Sequence, residues 1–219
     1  MPDRAPAAGR LPALPALQAI VDADAATARG WAPLDLARAY LDGGARFLQL
    51  RAKSLASGPF LALCDAVVAL AAPIGAIVIV NDRVDLAKMS GASGAHVGQD
   101  DLPVAEARAL LGPHAVVGHS THSTAQIHAA LAQPSSYIAV GPVFGTRTKD
   151  TGYEAVGLDL VREAARLCSA RPVVAIGGIT IETAPSVLEA GAACVAVIGD
   201  LLATGDPVSR VREYCAQLR

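Results

Sequence analysis

Eight short apolar runs alternate with longer amphipathic ones along this chain, which predicts a single-domain α/β fold, a (β/α)8 TIM barrel. Two further observations support that reading. The short runs are rich in Val and Ile without polar alternation, as parallel strands covered on both faces tend to be. The segment after the first of them, DADAATARG, also lacks the Gly-rich fingerprint that opens a doubly wound dinucleotide-binding sheet. At 219 residues, 53% hydrophobic and only 17% charged, the chain is long enough for one such barrel.

In chain order, residues 1–12 (MPDRAPAAGRLP) read as a flexible Ala/Pro-rich N-terminal segment and 13–219 as the barrel domain. Strands are predicted at 16–22, 46–51, 76–81, 94–98, 115–120, 137–141, 172–177 and 194–199. Helical patterns lie between them, including PFLALCDAVVALA (59–71), PVAEARALLG (103–112), GLDLVREAARLC (157–168) and APSVLEAGA (184–192). Gly112 and Gly191 stand where helices commonly stop. The longest apolar stretch, residues 66–80, is interrupted by Pro73 and Gly75, so it reads as a helix end, a turn and a buried strand. It falls short of the roughly 20 residues a bilayer span needs.

Composition excludes several classes. A net charge of −2 argues against a nucleic-acid binder, which needs clustered Lys and Arg to meet the phosphate backbone. Cys64, Cys168, Cys194 and Cys215 are widely spaced, form no CxxC pair and sit in apolar surroundings, where Cys acts as a small hydrophobe. The N-terminus lacks the apolar core of a signal peptide. A soluble cytoplasmic protein is expected, without a membrane or nucleic-acid partner and compatible with a homo-oligomer.

Barrel enzymes build their sites at the C-terminal ends of the strands. After strand 2, Gln49, Arg51 and Lys53 alternate, which on a strand points them the same way. Asn81 and Asp82 follow strand 3, and Asp101 follows strand 4. Each of these acids could simply cap a helix. Together, beside cations, they suit Mg2+ held by two carboxylates and a substrate phosphate. Ser120 ends strand 5, flanked by His119 and His122; His122 could act as an acid or base, and no third ligand supports a zinc pair. After strand 6, Thr146, Arg147, Thr148 and Lys149 come without a break. Gly177 and Gly178 follow strand 7, and Ile198-Gly199 ends strand 8, where barrels often bind phosphate through backbone N–H groups. The expected ligands are therefore two anions, a metal-bound phosphate chain near strands 2 to 4 and a monophosphate near strands 7 and 8, with the strand-6 loop as their shared wall.

QLRAK, VNDRVDLA, GAHVGQDDLP, GHSTHS, GPVFGTRTK, AIGGIT and VAVIGDLL, in this order and spacing, closely resemble the thiamine phosphate synthase family over residues 16 to 202. The resemblance implies a barrel enzyme that joins a pyrimidine diphosphate to a thiazole monophosphate, releasing diphosphate, with Mg2+ as cofactor. It implies that Gln49, Arg51, Lys53, Asn81, Ser120 and Lys149 bind the pyrimidine diphosphate. Asp82 and Asp101 would hold the metal; Thr146, Arg147, Thr148, Gly178, Ile198 and Gly199 would meet the thiazole phosphate. Arg51, Lys53, Ser120 and Lys149 are the expected catalytic groups. Four positions depart from the family pattern: Gly199 for Ser, Gly145 for Pro, Thr183 for Asn, and Cys194 for Gly. The first removes a hydroxyl from the thiazole-phosphate end, so altered thiazole affinity is expected rather than loss of activity.

The implied chemistry is a dissociative displacement in which the aminopyrimidine expels diphosphate and the thiazole nitrogen traps the methylene cation. A thiazole tautomerase of the same barrel family would rely on His122 and would not need QLRAK, both aspartates and TRTK. A Schiff-base aldolase would need a lysine in an apolar pocket, whereas Lys53 and Lys149 sit among phosphate-binding residue types. A non-catalytic phosphate-ligand sensor is the remaining alternative.

Overall fold

The structure, a computed structural model, describes residues 14–145, 154–169 and 171–218. The expected N-terminal segment at 1–12 lies outside the described residues. So do Thr146, Arg147, Thr148 and Lys149.

Eight strands close into one parallel barrel in sequential order, β8 pairing back onto β1. They are β1 (Leu17–Asp22), β2 (Phe47–Arg51), β3 (Ile77–Asn81), β4 (Gly94–Val97), β5 (Val116–Thr121), β6 (Tyr137–Val140), β7 (Val173–Ile176) and β8 (Cys194–Val197). Each lies within two residues of its predicted place at either end.

The described helices are α1 (Ala23–Ala28), α2 (Pro33–Asp42), α3 (Ser57–Ala71), α4 (Val84–Ser90), α5 (Val104–Leu111), α6 (Thr124–Leu131), α7 (Gly157–Leu167), α8 (Ala184–Glu189) and α9 (Pro207–Gln217). Their starts show familiar chemistry. Asp22 caps α1 by accepting the Ala25 N–H at 2.9 Å, and Ser123 and Asp206 do the same work for α6 and α9. Among the described residues, Ser57–Ile74 is the one stretch long and apolar enough to cross a membrane by length and composition alone. Here it is α3 with the following 3-10 turn, and Phe60, Cys64, Val67 and Ala71 bury against the core.

Strand parity divides the core. Ala19, Val21, Leu48, Leu50, Val78, Val80, Val195 and Val197 point outward into the layer between sheet and helices. Ile20, Phe47, Ile79, Val116, Tyr137, Ala139, Val174, Cys194 and Ala196 point inward and plug the barrel. Cys194, fully buried in that plug, packs as the hydrophobe its sequence context suggested. Cys64 and Cys168 are buried too, while Cys215 is partly exposed. The plug accommodates one large polar ring pair, because Gly118 leaves room. A Cβ on Gly118 would come within 2.1 Å of Tyr137 Cζ and 2.5 Å of His96 Nδ1. Any side chain there would expel Tyr137 or His96 from the barrel axis.

Candidate active site

Above the plug, at the C-terminal ends of the strands, lies a cavity of about 340 Å³. Its walls include inward-facing residues one or two pleats above the plug: Gln49 and Arg51 from β2, Asn81 from β3, His96 from β4 and Ser120 from β5. Gly177, Gly178, Ile198 and Gly199 line the opposite side. Among the described residues, the chain thus brings together seven of the ten expected from the sequence, with the two expected anion ends facing one space.

Arg51 is held by Asp22, an ion pair made by two strand-end residues in direct register on β1 and β2. Asp22 is 3% exposed, and the Arg51 side chain 12%. The Arg51 Nε is buried with no partner among the described residues. An unpaired buried donor is costly; the exposed part of the side chain lines the cavity, where its other N–H groups can meet an anionic acceptor. Gln49 is buried on the same face one pleat below.

Lys53 lies beyond the end of β2, half exposed, and reaches Asp82 at 2.9 Å. Asp82 adopts φ 61°, an uncommon conformation for a residue other than glycine, in the turn that leads from β3 towards α4. Asp101 accepts the Gly98 N–H at 2.7 Å and lies beside Asp82. Burial works to raise Asp82, but Lys53 and Asp101 beside it hold its carboxyl below the usual value. Asp101 is pushed above it by burial and by the Asp82 charge, against the pull of the Gly98 N–H. Lys53, Asp82 and Asp101 therefore form the rim of the site rather than its lining. This corrects the expectation that Lys53 faces the same space as Gln49 and Arg51: the strand ends at Arg51, so the alternation stops there.

Below Ser120 runs a buried polar chain. Gln18 Nε2 donates to the Tyr137 hydroxyl at 3.5 Å, Tyr137 lies 2.9 Å from His96 Nδ1, and His96 Nε2 lies 2.8 Å from Ser120 Oγ. Burial holds the Tyr137 phenol far above its usual value, so it stays protonated and can donate to Nδ1. Nε2–H then donates to Ser120 Oγ, leaving the serine hydroxyl proton free to point into the cavity. His122 also lines the cavity, its Nδ1 donating to the Gly141 carbonyl at 2.5 Å. His119 does not line it; its Nε2 meets the Gln99 amide at 3.2 Å, and burial lowers its pKa.

The far wall is formed by the loops after β7 and β8. Gly177 and Gly178 both have positive φ, 106° and 62°. A Cβ on Gly178 would sit 2.5 Å from the Gly145 carbonyl oxygen, so glycine alone lets this loop press on the one after β6. Thr183, the departure from Asn, accepts the Thr180 N–H at 2.9 Å and so keeps a polar cap on this turn.

Three residues of the site went unremarked in the sequence. Asp22 was visible as an acid ending a strand, His96 as an inward position of GAHVG, and Asp200 as an acid directly after Gly199. His96 and Asp200 lie within the motifs GAHVGQDDLP and VAVIGDLL and Asp22 outside any, but each matters through a partner on another element.

Comparison with known proteins agrees with this geometry. A family model described as thiamine monophosphate synthase matches residues 17–201. The thiamine-phosphate synthase of Anaeromyxobacter dehalogenans (strain 2CP-C) is 46% identical over 175 residues, 80% of this chain and 78% of that protein. That of Mycobacterium sp. (strain JLS) is 42% identical over 187 residues, covering 81% and 82%. Among solved structures, a thiamine phosphate pyrophosphorylase from Pyrococcus furiosus superposes with a TM-score of 0.84 at 27% identity, covering 93% of this chain and 95% of its own. A 3-hexulose-6-phosphate synthase, at 19% identity and TM-score 0.67, shares the fold alone. With its strand-end residues gathered around one cavity and its relatives alike over four-fifths of its length, this chain belongs to the thiamine monophosphate synthase family.

Proposed function

We propose that the barrel mouth joins 4-amino-2-methyl-5-(diphosphooxymethyl)pyrimidine to thiazole phosphate, releasing diphosphate and thiamine phosphate. The enzyme is a transferase of thiamine biosynthesis. The observation that carries the substrate assignment is Arg51, a guanidinium clamped by buried Asp22 in the wall of the cavity. The diphosphate lies at this end, against Arg51 and Lys53, with Gln49, Asn81 and Ser120 around the pyrimidine. The thiazole phosphate lies at the loops after β7 and β8, near Gly178, Ile198 and Gly199. By the family likeness, Lys149 would bind the pyrimidine diphosphate and Thr146, Arg147 and Thr148 the thiazole phosphate.

Asp82 and Asp101 fit a magnesium ion. Both offer hard oxygen donors on neighbouring strand ends, and their crowding disfavours two bare charges, as the raised Asp101 pKa reflects. Bound there, Mg2+ would neutralise charge gathering on the leaving diphosphate. In the reaction the bond between the pyrimidine methylene carbon and the diphosphate oxygen breaks, its electron pair leaving with diphosphate. Electron donation from the aminopyrimidine supports the methylene cation, and the thiazole nitrogen lone pair forms the new C–N bond. No protein nucleophile is required. Arg51 and Lys53 stabilise the departing charge, the kind of electrostatic work that often lowers a barrier most. The His96 chain fixes the Ser120 hydroxyl so that its proton is offered to the substrate.

Incubation of the purified protein with both substrates, with Mg2+ and then with excess EDTA, tests this reading by following thiamine phosphate through its oxidised fluorescence. Metal-dependent product is expected. No product under either condition refutes the reaction, and product unaffected by EDTA refutes the metal.

A further inference from the structure

The wall of the monophosphate end contains a carboxylate, an odd neighbour for an anion. Asp200 follows Gly199 directly and lines the cavity. Its charge is fully engaged from behind. Arg210 on α9 donates from Nε at 3.1 Å to one carboxylate oxygen and from Nη2 at 3.1 Å to the other. The Tyr214 hydroxyl donates at 2.7 Å and the Ile181 N–H at 3.1 Å. The side chains of Asp200 and Arg210 are only 10% and 13% exposed. The same helix grips the other side of the Ile181 peptide, Gln217 Nε2 donating to its carbonyl at 3.1 Å. Glu213 at 2.9 Å and Glu182 at 4.0 Å complete the surroundings of Arg210.

We propose that Arg210 is a positioning residue for the monophosphate substrate: by binding Asp200 from behind, it cancels and turns away a negative charge in the phosphate-binding wall. This inference rests on placing the thiazole phosphate at the loops after β7 and β8. A tight ion pair has almost no net charge when viewed from the cavity, whereas a lone carboxylate beside a phosphate is repulsive across a partly desolvated space. The C-terminal helix, remote from the reacting atoms, thereby sets affinity for one substrate and leaves the other alone. Among the described residues, the acids paired with Arg210 are Asp200, Glu182 and Glu213, and Asp22, the partner of Arg51, is not one of them.

Kinetics with both substrates varied separately test the idea. Arg210→Gln should raise KM for the thiazole phosphate about tenfold, a loss that shrinks at high salt because part of the repulsion is screened. KM for the pyrimidine diphosphate should stay within about twofold, which also reports that the barrel is folded. Asp200→Asn combined with Arg210→Gln removes the stranded charge and should restore the thiazole phosphate KM. Arg210→Lys should fall between. A double variant as impaired as Arg210→Gln alone would make the contact one of packing and overturn the proposal, as would equal losses for both substrates. Thermal stabilisation by inorganic phosphate gives a second readout independent of turnover. It should be smaller in Arg210→Gln than in the parent and recover in the double variant; equal shifts in all three would overturn the proposal. Absence of product alongside the expected phosphate shifts would instead refute the reaction and leave this anion site standing.

Discussion

Replacing Asp22 by Asn isolates what its charge does for Arg51. The amide oxygen can still accept the Ala25 N–H that starts α1, so the helix cap survives. The Arg51 guanidinium, however, would face an amide group in place of its buried counterion. Breaking a fully buried pair by removing one partner costs roughly 3–5 kcal/mol. Arg51 opens into a solvent-accessible cavity and its side chain retains 12% exposure, so water offsets part of the loss and about 2 kcal/mol is the better figure. For a domain of 150–250 residues each kcal/mol moves Tm by roughly 2–4 °C, so a drop of about 4–8 °C is expected. Inorganic diphosphate should then narrow the gap, because a ligand that supplies the missing negative charge stabilises the variant more than the parent. The assay is a pair of melting curves for each protein, with and without saturating diphosphate. An unchanged Tm would show that Arg51 does not depend on Asp22. A gap that diphosphate leaves intact would show that Arg51 does not face the diphosphate.

The rim responds differently. Asp101→Asn keeps an acceptor for the Gly98 N–H while removing one of two crowded charges, so Tm of the metal-free protein should rise by a degree or two and the Mg2+ needed for half-maximal turnover should climb at least tenfold; an unchanged requirement would remove Asp101 from the metal site. In the parent, the raised Asp101 pKa implies a contribution to metal-free stability that is present below the ordinary carboxylate value and lost as pH rises through the raised one, while the Mg2+ requirement grows as pH falls through it; flat profiles in both would contradict the pairing. Tyr137→Phe deletes the hydroxyl between Gln18 and His96 and should cost about 1–3 kcal/mol in denaturant melts while weakening the pyrimidine substrate more than the thiazole; equal KM values for both would break the link to Ser120. Gly199→Ser should leave kcat similar and tighten the thiazole phosphate, and a dead enzyme would mean that the glycine marks a rebuilt pocket.

The barrel was legible because the strands announce themselves twice, by composition and by punctuation. AIVIVN and PVVAIG are runs with no polar face, and only a sheet covered on both sides buries such runs whole. Arg51 and Asn81 were legible for the same reason, as polar residues at the very ends of apolar strands. Lys53 was placed less well. Extending the alternation past Arg51 assumes that the strand continues, and the chain turns away at Ala52, leaving Lys53 on the rim with Asp82. His96 and Tyr137 were invisible as a pair, since nothing in GAHVG or YIAVG says that Gly118, on the strand between them, has vacated the space where they stack with ring centroids 5.7 Å apart. Contacts set by a third residue's absence of a side chain leave no local pattern.

Charge pairing accounts for how a chain with a net charge of −2 prepares a site for phosphates. Arg51 is joined to Asp22, Lys53 to Asp82 and Arg210 to Asp200. Bare cations gathered at one barrel mouth would repel one another and invite adventitious anions. Among the described residues, pairing each with an acid offsets its charge and fixes long side chains whose rotamers would otherwise have to be frozen on binding. The three pairs differ in what a ligand can do to them. Asp200 stands in the wall and is held from behind by four donors, so that pair stays shut. Asp22 is buried and serves as an anchor, leaving the far side of Arg51 for the diphosphate proposed to bind there. Asp82 sits beside Asp101 at the rim, where a hard cation would compete with Lys53 for the same oxygen and free the ammonium for the phosphate chain. The partners and the burial of each acid together thus sort the cations of this site into a shield, a clamp and a group that metal binding would release.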